Sequence, residues 1–274
     1  MIVEGLGIAV AKAAYDMHKS DKLNEQAAKK MVRSYSKIAE AQGNQKEAEE
    51  KMNKAVLRLV NRKRAVLSTS MQDFLNLYDK VIKINFTESD GIREIEHFSL
   101  AVVEELHVQI SVARNMPSKP FFTKNVIVGY LLGGVMGAIT SSIVDDSQKA
   151  LDLAKIQSKQ ADMIAQQAQT VSLSCFAIQE RANYMTDVLT KLNILFVRGI
   201  QYTEDLIEKR GLDKRSYFQE DRKSLAACIN LAGAVKSILD VPIIDPEGEL
   251  TEKSMQVIQL GEQYLQAIDF ALSN

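Results

Sequence analysis

The chain has 274 residues, 46% of them hydrophobic and 25% charged, a balance typical of globular proteins that excludes wholesale disorder. Its 34 lysines and arginines offset 35 aspartates and glutamates to a net charge of -1, which excludes a generally basic nucleic-acid binder. With 13 glycines, 4 prolines and no tryptophan, it has too few turn residues for an all-β sandwich or barrel, so the expected fold class is all-α.

Taken in chain order, Met1 to Ala14 is apolar and rich in small residues. It lacks a basic n-region and carries Glu4, so it does not read as a signal peptide. The expected location is cytoplasmic as synthesised, with membrane association or leaderless export left open. The first long helical pattern runs from about Lys22 to Ile84. Met31, Ile38, Met52, Leu59 and Val66 recur at multiples of seven, with Tyr35, Val56 and Leu77 as partial partners and a weak point near Gly43. A break at Thr87–Gly91 precedes a helix over Ile92–Arg114. Pro117 and Pro120 mark a loop.

The second long pattern, from about Asp146 to Lys209, is cleaner. Ile164, Val171, Ile178, Met185, Leu192 and Leu206 share one phase, interrupted at Gly199, while Ala168, Cys175, Ala182, Leu189 and Phe196 fill the other. Basic residues before Gly211 signal a helix stop. Helices over Ser216–Leu239 and Thr251–Leu272 follow, separated by a loop at Pro242–Gly248 in which Ile243 and Ile244 form a short extended piece. A helix of the length of the second pattern spans roughly 95 Å, whereas a globule of this size is about 40 Å across. The expectation is one elongated bundle over residues 1–274, with two very long antiparallel helices and an apolar helix or hairpin at 121–145 inside it.

That apolar segment is the most unusual feature. Val126 to Val144 reads VIVGYLLGGVMGAITSSIV, without a single charge. Its mean hydropathy of about 1.9 lies in the range of membrane spans. Lys119 and Lys124 flank one end, Asp145 and Asp146 the other, and Gly129, Gly133 and Gly137 form a small-xxx-small face. Gly133-Gly134 could instead turn a short hairpin. The candidate membrane-interacting residues are Val126, Ile127, Val128, Gly129, Leu131, Leu132, Gly133, Gly134, Val135, Met136, Gly137, Ile139, Ile143 and Val144. The competing reading makes the segment the permanently buried centre of the bundle. A long helical layout with an apolar tongue resembles the α-helical pore-forming toxins of the cytolysin A type. The resemblance is one of layout, and it implies insertion of the segment into lipid after release from the bundle. No functional residue is carried across. A curvature-sensing rod of the BAR type would match the helix lengths, but it needs a basic face and leaves the apolar segment unexplained.

Motifs for other chemistry are sparse. Glu94/His97 and Glu104/His107 each make an E-x-x-H, but ten residues apart on one expected helix they cannot share a metal. With His18 they are read as helix-surface groups. Phosphate-binding glycine loops, zinc-type spacings and nucleophile elbows do not occur in the sequence. Cys175 and Cys228 read as reduced core thiols. Arg58, Arg62, Lys63 and Arg64 form the densest basic cluster, read as a solvated face, with an anionic-lipid or nucleic-acid contact as the weaker alternative; no aromatic interleaving supports nucleic acid. The expected role is therefore non-enzymatic, with no metal and no cofactor. The expected partners are a lipid membrane, further copies of the chain in a homo-oligomer, or a helical protein. The alternative to membrane action is a cytoplasmic helical scaffold with the apolar segment buried.

Overall fold

The computed structural model describes residues 22–86, 90–92, 98–115, 147–245 and 250–273. The Met1–Ala14 stretch, His18, Glu94, His97 and the Val126–Val144 segment lie outside the described residues. The fold is all-α. Helix α1 covers Lys22–Val66 and passes through a π-helical turn at Leu67–Met71 into α2, Gln72–Lys83. Helix α3 is Leu100–Asn115, α4 is Ser147–Arg210, α5 is Gln219–Asp240 and α6 is Glu252–Ser273. A 3-10 turn at Lys214–Ser216 precedes α5. Among the described residues the extended structure is one bridge, Ile244 to Leu250, at the expected extended piece.

The sequence accounts for most boundaries. Gly211 sits at φ +74°, and its N–H donates to Ile207 O at 2.8 Å, closing the C-terminus of α4 as a glycine cap does. The Asp221 carboxylate accepts the Phe218 N–H at 2.9 Å at the start of α5. Thr251 Oγ1 accepts the Ser254 N–H at 3.2 Å and caps α6. The π turn falls on the run Ser68-Thr69-Ser70. Ser68 Oγ donates to Arg64 O at 2.9 Å, Thr69 Oγ1 to Ala65 O at 2.8 Å and Ser70 Oγ to Val66 O at 3.4 Å. Three consecutive hydroxyls bonding back to carbonyls four residues earlier loosen the helical ladder, so an extra residue fits into the turn. No comparable break occurs at Gly43, where α1 is continuous.

The chain divides into two compact units, one of residues 1–52 and 123–177, the other of residues 53–122 and 178–274. In the first, α1 and α4 pack through small side chains. Ala27 and Met52 on α1, with Ala161, Ala165, Ala168, Val171 and Cys175 on α4, are buried. Lys37 Nζ lies 2.6 Å from Asp162 Oδ1, and the Glu49 carboxylate acts on the Cys175 thiol. The partners advance along both helices together, so in this unit the pair runs parallel.

The second unit carries the larger core. Phe74, Tyr78, Phe98 and Phe196 form an aromatic cluster, with ring centroids 5.1 Å apart for Phe74–Phe98 and 5.5 Å for Phe74–Phe196. Tyr78 Oη donates to Phe98 O at 3.0 Å. This holds Phe98 in a non-helical approach, so α3 begins at Leu100 and not at Ile92 as the sequence suggested. Ser70 on the π turn donates to Asn193 Oδ1 on α4, and Lys80 Nζ on α2 lies 3.8 Å from Glu204 Oε1. Here too the contacts ascend both helices in step. The expected antiparallel pairing is thus corrected in each unit. An a/d stripe buries equally well against a partner of either direction, so heptad spacing does not carry the sense of pairing. Helix α6 packs against α5, and Gly261 lets it approach α4: a Cβ there would stand 2.5 Å from Val188 Cγ1.

Candidate functional site

The sequence-predicted site residues, from Val126 to Val144, lie outside the described residues, between Asn115 at the end of α3 and Ser147 at the start of α4. Among the described residues no helix is long and apolar enough to cross a membrane. What the structure adds is the surface of the helix that the segment feeds.

On α4 of the first unit, Ala161, Ala165, Ala168, Val171 and Cys175 are buried on one face. Elsewhere on the same helix, Ile156, Met163, Leu173 and Phe176 are exposed at 54%, 53%, 63% and 52%. At 100° per residue these four side chains do not share one face, so they are separate exposed apolar positions. Of the four, Ile156 and Met163, seven apart, lie on one face.

Of the polar groups singled out in the sequence, Lys63 serves packing. Lys63 was expected on a solvated face. Instead its Nζ donates to Val241 O at 2.7 Å and to Leu239 O at 3.2 Å, covering the last carbonyls of α5 where a cation is favoured. Burial holds its ammonium down to about 8, against an opposing pull from Asp240. Arg62 is likewise half-buried, with a buried Nε, while Arg58 remains exposed. The cluster is therefore split between core and surface. Lys236 binds Asp240 and lies 3.3 Å from Glu105 Oε2, tying α5 to α3. Glu104 and His107 are both exposed on α3. Among the described residues no group of three or more His, Cys, Asp or Glu is placed to hold a metal.

Cys175 and Cys228 are free and buried, as expected. Burial pushes the Cys228 thiol up to about 11, against a smaller opposing effect of the neighbouring Thr203 hydroxyl, and burial together with Glu49 raises Cys175. Thiols held in that state are poor nucleophiles. Near the start of α5, the Arg210 guanidinium stacks over the Phe218 ring at 4.5 Å and its Nε lies 3.1 Å from Asp221 Oδ2.

Comparison of the chain with protein-family models, with characterised proteins and with solved structures finds no match.

Proposed function

We propose that this is a non-enzymatic, membrane-active helical protein in which Val126–Val144 is the part that enters lipid. The observation that carries the proposal is an uncharged run of span length between a pair of lysines and a pair of aspartates. The glycines at 129, 133 and 137 support it, since in lipid a small-residue face favours self-association of inserted helices into a homo-oligomer. The elongated form suggested by helices of this length is part of the same proposal, and small-angle scattering tests it.

The functional test is flotation with liposomes and dye release, using the full chain. Binding and release that depend on lipid composition support the reading. No binding at any pH or lipid charge overturns it in favour of a scaffold that binds a helical protein partner. That second reading draws on the exposed apolar side chains of α4, such as Leu173 and Phe176.

A further inference from the structure

We propose that the outer face of α6 is a homodimer interface, closed by α6 of a second copy of this chain packing against it in the antiparallel sense. The inference stands apart from the membrane reading and concerns the protein in lipid-free solution.

The face is defined by position and by composition. Ser254, Ile258 and Gly261 are buried on the inner side of α6. At 100° per residue, Met255, Gln256, Gln259, Leu260, Gln263 and Gln266 fall together on the opposite side, and all six are exposed. The glutamines recur at steps of three and four, the spacing of a seam between two helices. Beyond Glu252 this face carries no charge, and Lys253 and Glu262 only flank it. The exposed face of α4 in the same unit shows the ordinary pattern, with Asp187, Lys191, Arg198 and Asp205. An exposed helix face without charge has the composition of an interface core, where Lys, Glu and Asp are depleted and Met is enriched.

Chemistry selects the occupant. A carboxamide is both donor and acceptor, so glutamine matches glutamine, and a second copy brings the complementary set. Hydrocarbon leaves four carboxamides unsatisfied, so a lipid surface does not fit. A charged partner finds no counter-charge on the face. The charge pattern is complementary to itself in one sense only. A parallel pair would set Glu252 against the same carboxylate of the second copy and align the two helix dipoles. An antiparallel pair centred between Gln259 and Leu260 sets Gln256 opposite Gln263 twice, Gln259 opposite Leu260 and Glu252 opposite Ala267, and it opposes the dipoles. The face is about 24 Å long. That is the small end of specific interfaces, so association should be reversible and depend on concentration.

Sedimentation equilibrium of the full chain, over a concentration series without lipid, tests the proposal on three proteins. Wild type should dimerise as concentration rises. Gln256→Glu/Gln263→Glu sets carboxylate against carboxylate at both paired positions, and its dissociation constant should rise by about tenfold or more. Gln256→Glu/Gln263→Lys sets each new glutamate against a lysine of the second copy, and it should dimerise at least as well as wild type. In a parallel pair this last variant would bring like charges together, so its dissociation overturns the proposal. A wild type that stays monomeric at every concentration also overturns it, and leaves the face to a partner of another sequence. So does a Gln256→Glu/Gln263→Glu protein that dimerises as wild type does, which places the contact elsewhere. Both substituted side chains are exposed, so the three proteins should melt alike when dilute. Flotation is read with lipid and sedimentation without it, so the membrane reading and this one fail separately.

Discussion

Lys63 shows how far a residue's chemistry can depart from its sequence context. In the run Arg62-Lys63-Arg64 it reads as one more solvated charge, yet it ties α1 to the end of α5 and titrates near 8, against an ordinary lysine value of 10.5. At this group the folded protein binds fewer protons than the unfolded chain between about pH 8 and 10.5, so the Lys63 contribution to stability rises with pH there, while the Cys228 thiol, held up to about 11, contributes the opposite slope above about pH 9. The Lys63 contribution amounts to about 3 kcal/mol across the window. In urea melts at pH 7, 9 and 10 the stability of wild type relative to Lys63→Met should rise with pH; parallel curves would refute it. Glycines give a second contrast that sequence alone does not resolve. Gly43 and Gly261 both interrupt helical patterns, but a Cβ at Gly43 meets nothing within 4 Å, whereas one at Gly261 meets Val188 at 2.5 Å. Gly43→Ala should stabilise by about 0.5–1 kcal/mol through helix propensity. Gly261→Ala should destabilise by about 1–3 kcal/mol through overpacking. Chemical denaturation of the two variants checks both signs.

Among the elements, phase was legible and direction was not. The a/d spacing from Val171 to Leu206 placed Val171, Ile178, Met185, Leu189, Leu192 and Phe196 in the core, and all six are buried. Ile164, at the start of the same phase, is only half-buried, because the facing seam there is built from alanines. Leu192 is fully enclosed and lies near Gly261 of α6. Leu192→Ala should cost about 2–5 kcal/mol in a thermal or urea melt. An unchanged melt would mean that the core collapses around the gap without loss. The parallel sense of α4 and its partner could not be read from the heptads, since an a/d stripe buries against a partner of either direction. The π turn was missed for a different reason. Its signal is a short run of hydroxyl side chains, Ser68-Thr69-Ser70, inside a stretch whose apolar spacing looks continuous.

At the scale of the whole molecule, the all-α class followed from composition and the candidate site from one uncharged run. The placement of that run depends on contacts that neither periodicity nor composition encodes. Its function can still be tested by a charge at its centre. Met136→Lys puts an ammonium where an inserted segment would meet the middle of the hydrocarbon, at a cost of about 2.5–3.5 kcal/mol per chain. Since about 1.4 kcal/mol is a factor of ten in an equilibrium, bound protein and dye release should fall by about a hundredfold. The matching control is Tyr202→Lys, which adds the same charge at a side chain already 55% exposed on α4. It should leave lipid binding unchanged. Circular dichroism and melting temperature must first show that both variants fold, because a permanently buried segment predicts that Met136→Lys unfolds the protein in water. A folded Met136→Lys protein that binds and permeabilises liposomes as wild type does would remove the segment from the membrane step. An unfolded one, beside a wild type that never binds lipid, would assign the segment to the core of a scaffold.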